Sequence, residues 1–213
     1  MINTIFFDFD GVIVESVDIK TKAFVRLFER ESEDVVKKVV EYHLNNTGVS
    51  RYEKFKYIYK EILNHALCDA ELQMLCDKFA SLVLDAVVLA PYVKGAKEFL
   101  ENFVSKYRFF VVTATPQEEI EEIIRRRAIN HFFKAVYGTP TKKSDAVREI
   151  MDRWSIKPDN ALYIGDAMSD YIAARDNSVC FIARINNNES VFSCVNCLKV
   201  KDLTELDVTI EKI

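Results

Sequence analysis

The chain has 213 residues, 49% of them apolar and 29% charged, with a net charge of −4. This is the balance of an ordinary globular protein with room for one sizeable core and a small second domain, and five Gly and four Pro argue against low-complexity or collagen-like structure. The mildly acidic charge argues against a nucleic-acid surface, which shows as clustered Lys and Arg, and no segment approaches the roughly 20 apolar residues that span a bilayer.

Residues 2–7 form a near-continuous apolar run that ends in Asp8 and reads as a strand. From about Ser16 to Leu89 only helical periodicity is present, with helices expected at 17–30, 33–46, 51–64 and 69–87 and a turn at Asn45-Asn46-Thr47-Gly48. Pro91 marks the return to alternating elements. Helical faces follow at 93–107 (Ala96, Phe99, Leu100, Phe103), at 116–129, which opens with Pro near N1 and a run of Glu, and at 144–154 (Val147, Ile150, Met151, Trp154). The basic run Arg125, Arg126, Arg127 closes the second of these and suits the negative end of its dipole, so it reads as a solvated face. Strands are expected at 108–112, 135–137, 161–164 and 179–183. Unalternated β-branched and aromatic runs of this kind suit strands buried on both faces, as in a parallel sheet.

Strands alternating with helices predict an α/β fold, a doubly wound, Rossmann-like parallel sheet. The uninterrupted helical stretch predicts an inserted all-helical domain. The expected division is a core of residues 1–15 and 91–213 and an insertion of residues 16–90. In the tail, Asn186-Asn187-Asn188 reads as a loop and 202–210 as a final helix or strand. Asn177 is expected to supply a left-handed turn before the last strand.

Five Cys are scattered without a framework, and Cys194-Val-Asn-Cys197 is a lone C-x-x-C with no His nearby. Incidental reduced thiols are expected rather than a zinc or redox site. No basic stretch, apolar segment and cleavage site of the signal-peptide kind precedes the first strand, so a cytoplasmic protein is expected.

The chemistry concentrates at the carboxyl ends of the predicted strands, the edge where open parallel sheets bind ligands. Asp8 and Asp10 follow the first strand, Thr113 the second, Lys143 stands at the helix start after the third, and Asp166 and Asp170 follow the fourth. Several carboxylates brought together repel one another unless a cation compensates them, and an all-oxygen site suits Mg²⁺. A phosphoryl group needs that metal, a cation and hydrogen-bond donors. A carboxylate nucleophile divides hydrolysis into two displacements, and a second carboxyl group must move the proton. Singly, Asp166, Asp170, Thr113 and Lys143 also read as a helix cap, a turn hydroxyl or a solvated lysine. Asp8 differs, because it ends an apolar buried strand, a costly place for an unpartnered charge.

These residues resemble the haloacid dehalogenase superfamily. Asp8-Phe-Asp10-Gly11-Val12 is similar to its first motif, Val111-Val112-Thr113 to its second, Gly138-Thr139-Pro140-Thr141-Lys142-Lys143 to the approach to the third-motif lysine, and Gly165-Asp166-Ala167-Met168-Ser169-Asp170 to the fourth. The resemblance implies that Asp8 attacks phosphorus and binds Mg²⁺. It implies that Asp10 is the general acid and base, with its main-chain carbonyl on the metal. Thr113 and Lys143 would hold phosphoryl oxygens, Asp166 would ligate Mg²⁺, and Asp170 would act through a water or orient the site. Asp10, missing from the dehalogenase branch, points to phosphoryl chemistry. Lys143 is preferred over Lys142 because it shares a face with Val147, Ile150 and Trp154.

The insertion resembles the family's C1-type cap, a lid that excludes water and selects the leaving group. Gly48-Val49-Ser50-Arg51 is the expected cap loop, with Arg51, Lys54, Gly11 and Ala114 as candidate substrate contacts. In the bland alternative Ser50 simply caps the next helix and Glu53 completes a capping box. The expected activity is hydrolysis of a small phosphorylated metabolite, with a sugar phosphate as one form. A phosphomutase of the same fold and a catalytically idle phospho-ligand-binding module are the alternatives. Oligomeric state is not legible.

Overall fold

Six strands lie side by side in the computed structural model of the chain, which describes residues 1–185 and 189–213, so the Asn186-Asn187-Asn188 loop lies outside the described residues. They are β1 (Thr4–Phe7), β2 (Arg108–Pro116), β3 (Phe133–Thr139), β4 (Ala161–Gly165), β5 (Cys180–Arg184) and β6 (Leu198–Val200). All pairings are parallel, in the order β3-β2-β1-β4-β5-β6. The order reverses at β1, and a reversal of this kind opens a crevice at the carboxyl ends of the neighbouring strands.

β1 shows why the sheet is central. Its four residues are buried, with Ile5 and Phe7 in one apolar cluster and Phe6 in the other. Strand side chains alternate between faces, so burial at every position, with apolar Ile5, Phe6 and Phe7 in succession, means helices on both sides. One face is covered by α5 (Ala96–Phe103) and α6 (Gln117–Arg126), the other by α7 (Lys143–Arg153) and α8 (Met168–Asp176). A short α9 (Leu206–Ile210) buries Leu206 and Ile210 against the first face.

Between β1 and β2 run α1 (Val17–Leu27), α2 (Glu33–Asn45), α3 (Arg51–Tyr57) and α4 (Asp69–Leu89). Phe24, Phe55 and Phe79 meet at their centre, with ring centroids 4.8 to 6.1 Å apart. Burying each such ring stabilises the chain by about 1.5–3 kcal/mol. Ser32 and Ser50 cap α2 and α3 by accepting N–H bonds from Val35 and Glu53. No helix among the described residues is long and apolar enough to cross a membrane.

The structure departs from expectation locally. α3 runs only to Tyr57 and passes into a π-helical turn, Ile58–Ile62. Pro116 is the last residue of β2 and the N-cap of α6, not its first turn. β2 runs past Thr113 because its pairing with β3 shifts register between Val112 and Pro116. The left-handed residue before β5 is Ser178 (φ 56°); Asn177 has φ −108° and caps α8, its side-chain amide donating to the Ala173 and Ser144 carbonyls. β6 was not expected from the sequence.

Candidate active site

Asp8 is the first residue past β1, and its N–H donates to the Ile164 carbonyl of β4 at 3.0 Å. Phe9 N–H donates to Asp8 Oδ1 at 2.8 Å. The chain then reverses through Gly11 (φ 76°), whose N–H donates to the Val14 carbonyl at 2.8 Å. Val14 bridges to Tyr92 and Glu15 N–H donates to Pro91, which straps this turn to the segment leaving the insertion. Arg184 of β5 braces it further, donating to the Gly11 carbonyl at 3.1 Å and pairing with Glu15.

Behind Asp8 lies Lys143, the first residue of α7. Its Nζ is 3.1 Å from Asp8 Oδ2 and 2.6 Å from Asp170 Oδ1. The Tyr163 hydroxyl sits 2.9 Å from Asp170 Oδ1, and Ala167 N–H donates to Oδ2 at 3.0 Å, so both oxygens of this fully buried carboxylate are engaged. Asp8, Asp166 and Asp170 each bring an oxygen to within 4.8 Å of the others. Burial, with the neighbouring carboxylates, pushes Asp8 up to about 7 and Asp166 well above its usual range. Burial alone would lower Lys143, but Asp170 and Asp8 outweigh it and hold its ammonium well protonated.

This donor set fits a hard divalent cation such as Mg²⁺. It is all oxygen, it carries excess negative charge, and it is sheltered. Space is kept beside Asp166 because residue 11 is glycine; a Cβ there would come within 2.2 Å of Asp166 Oδ2. Asp8 and Asp166 offer the freer carboxylates, while the engaged Asp170 suits an orienting part. The Asp10 side chain stands apart from this cluster. It accepts from Lys20 Nζ at 2.5 Å, Ser16 Oγ at 2.6 Å and Thr115 Oγ1 at 2.8 Å. Burial pushes its carboxyl up, but Lys20 and the hydroxyls prevail and hold it below the usual range.

Thr113 is buried, and its Oγ1 accepts Thr115 N–H at 3.2 Å, which leaves the hydroxyl hydrogen for an oxyanion. Ala114 borders the same space. The segment between β1 and β2 lies over it. Ser169 Oγ donates to the Gly48 carbonyl at 3.0 Å, and Arg51 pairs with Glu119 of α6 at 2.5 Å while lying over the Phe79 ring. Lys54 is buried against His43 and the Thr47 carbonyl. The result is a small, partly open cavity of about 30 Å³ with Asp8, Asp10 and Thr113 on one wall and Arg51, Lys54 and His43 on the other. A larger groove of about 920 Å³ runs outward from Thr113 and Lys143 past Tyr52, Lys142 and Ile172.

The structure thus gathers Asp8, Asp10, Gly11, Thr113, Ala114, Lys143, Asp166 and Asp170 at one sheet edge, with Arg51 and Lys54 facing them. Lys142 is the N-cap of α7 and lines only the outer groove. Sequence reasoning missed Ser16, Lys20, His43, Thr115, Tyr163 and Ser169. For Lys20 a signal existed: it lies four residues before buried Phe24 on α1. His43 likewise lies four residues after buried Val39 on α2.

Residues 5–184 match the haloacid dehalogenase-like hydrolase family. A curated relative, the 5'-nucleotidase of Pseudomonas aeruginosa, is 34% identical over 94 residues, which are 41% of this chain and 42% of the relative. The matched segment therefore spans less than half the length of that relative. Among solved structures, a protein from Clostridium acetobutylicum described as a predicted phosphatase superposes with a TM-score of 0.79 over 100% of both chains at 21% identity. The β-phosphoglucomutase of Clostridium difficile superposes with a TM-score of 0.79 over 100% of this chain and 97% of its own, at 18% identity. At these identities the likeness is one of fold.

Proposed function

The chain belongs to the haloacid dehalogenase-like hydrolases, and from that premise we propose that it hydrolyses small phosphate monoesters, with Mg²⁺, through a phospho-aspartate formed on Asp8. The observation that carries this reading is the junction at β1. A buried carboxylate, Asp8, is bridged by Lys143 to Asp170, faces Asp166, and shares a small cavity with Asp10 and Thr113. The 5'-nucleotidase relative supports a phosphate monoester as substrate.

In the first displacement an Asp8 carboxylate oxygen attacks phosphorus, the bond from phosphorus to the alcohol oxygen breaks, and Asp10 gives its proton to that oxygen. In the second, Asp10 takes a proton from water, the hydroxide attacks phosphorus, and the bond to Asp8 breaks, releasing orthophosphate. The contacts from Lys20, Ser16 and Thr115 favour the ionised Asp10 that the second displacement needs and oppose the protonated form that the first displacement spends. Lys143 and the Thr113 hydroxyl hold phosphoryl oxygens as charge builds on them. Mg²⁺, held by Asp8, Asp166 and the Asp10 main-chain carbonyl with Asp170 behind, would neutralise the phosphoryl charge against the carboxylates. The insertion, residues 16–90, acts as the lid that keeps bulk water from the phosphorylated aspartate. The substrate is a small metabolite of the cytoplasm.

The test is orthophosphate release from an aryl phosphate and a panel of phosphometabolites, with Mg²⁺ and with EDTA. Turnover should require Mg²⁺ and vanish in Asp8→Asn. Isomerised phosphosugar without phosphate release would identify a mutase instead, and Mg²⁺-dependent binding without any turnover an idle binding module.

A further inference from the structure

The Asp10 carboxylate is held from two sides. Ser16, the N-cap of α1, donates to Oδ1 at 2.6 Å. Lys20 lies one helical turn further, its N–H donating to the Ser16 carbonyl at 3.1 Å, and brings Nζ to 2.5 Å from Oδ2. Residues four apart share a helix face, so both reach the same carboxylate. From β2, Thr115 Oγ1 donates to Oδ2 at 2.8 Å and itself accepts from Lys20 Nζ at 2.9 Å. Lys20, Thr115 and Asp10 thus close a triangle of hydrogen bonds between the helical segment and the sheet edge. The ion pair in it is sheltered, with side chains 16% and 14% exposed, so water competes weakly for its bonds.

The lone pairs of Asp10 show what this triangle leaves open. Each carboxylate oxygen accepts at two sites. Lys20 and Thr115 fill both sites of Oδ2, whereas Ser16 fills one site of Oδ1. Among the described residues, Oδ1 alone keeps a site for a further donor. The end torsion of an aspartate is broad, so the plane of the carboxylate is set by its partners and not by the rotamer. The same triangle reaches the phosphoryl side of the site, because Thr115 N–H donates to Thr113 Oγ1 at 3.2 Å.

Resting on the phosphatase reading, we propose that Lys20 is a positioning residue of the second displacement, locking Asp10 so that Oδ1 meets the attacking water. The water oxygen bonds to phosphorus and its proton passes to Oδ1. The bond from phosphorus to Asp8 breaks, and its electron pair returns to the Asp8 carboxylate. Lys20 acts on these atoms only through Asp10. Its helix belongs to the segment between β1 and β2, while Thr115 belongs to the sheet. The lock therefore exists only while that segment lies against the sheet edge, which ties removal of the phosphoryl group to a closed lid.

Pulse and chase with phosphoryl-labelled p-nitrophenyl phosphate tests the proposal, because this leaving group departs without needing a proton. In Lys20→Met, loss of label from the protein on chase should slow about tenfold or more, while the rate of first labelling falls less than about threefold. A merely structural role would depress both rates alike. In Lys20→Ala, added propylammonium, which replaces the missing chain, should speed loss of the label, and propanol should not. Thr115→Val has nearly the same shape and removes the hydroxyl between Lys20 and Asp10. It should slow the chase in the same sense, and it decides the matter if melting shows that the Lys20 variants do not fold. Equal slowing of both steps, an unchanged chase, or rescue by propanol as well as by propylammonium overturns the proposal and leaves the phosphatase reading standing. Native protein that never takes up label overturns both.

Discussion

Tyr163 touches no reacting atom in the proposed mechanism, yet its hydroxyl lies against both Asp170 and the Val112 carbonyl. Outer partners of this kind orient ligating carboxylates, and removing one typically weakens metal binding about 10–100-fold. Tyr163→Phe should raise the half-saturating Mg²⁺ concentration by about tenfold with a modest loss of kcat, measured by titrating activity with Mg²⁺. An unchanged Mg²⁺ dependence would place Tyr163 outside the site. Gly11→Ala should be harsher, since φ is 76° and the new Cβ would meet Asp166 Oδ2 at 2.2 Å. Loss of at least about 2 kcal/mol of stability, read by denaturant melts, is expected together with loss of turnover. At this scale the sequence was legible where a polar residue interrupts an apolar run. Asp8, Thr113 and Asp166 each stand out against the strand that carries them. Tyr163 counts as apolar inside β4, and Lys20 and His43 look like surface residues until their spacing from Phe24 and Val39 is noticed.

Elements were legible where amphipathic period and length agree. The face Ile120, Ile123 and Ile124 makes α6 plain, and the unbroken helical period between β1 and β2 made the helices of that segment plain. β6 escaped because it has three residues, mostly exposed, at the edge of the sheet. Ser178 escaped because positive φ there comes from how Asn177 caps α8, a tertiary detail. The contact between insertion and core makes its own prediction. A Cβ on Gly48 would lie 2.0 Å from Ser169 Oγ and 2.7 Å from Ala167 Cβ. Ser169 can rotate away, but Ala167 cannot. Gly48→Ala should therefore hold the lid off the site and lower kcat/KM at least about tenfold while the melting temperature stays within a few degrees. Wild-type kinetics in that variant would remove the Gly48 loop from the lid's closing surface.

For the molecule as a whole, the site concentrates charge that folding must compensate. Asp8 and Asp166 are buried near one another, so Mg²⁺ should stabilise the fold by mass action, by about 2–3 kcal/mol at a hundredfold excess over its dissociation constant. Asp166→Asn should melt higher than the native chain without Mg²⁺ and gain little from it; a native-sized gain would dismiss Asp166 as a ligand. Lys54 gives a pH dependence. Its folded value of about 7 lies below its ordinary 10.5, shaped by burial first and then by Lys20, Asp10, Asp166 and Lys143, with His43 in contact. Between those limits the unfolded chain binds the extra proton, so stability rises with pH across that window, while below it the penalty is fully present. The contribution is of the order of a few kcal/mol. Lys54→Met should flatten that part of the stability profile, and an unchanged profile would mean that Lys54 is not an uncompensated charge.

The central claim is that Asp8 becomes covalently phosphorylated. Rapid acid quench during turnover of a phosphoryl-labelled ester, followed by peptide mapping, tests it most directly. The label should appear on the peptide carrying Asp8, require Mg²⁺, chase off when unlabelled ester is added, and be absent from Asp8→Asn. Steady turnover with no label on the protein, or label on another residue, would contradict the account.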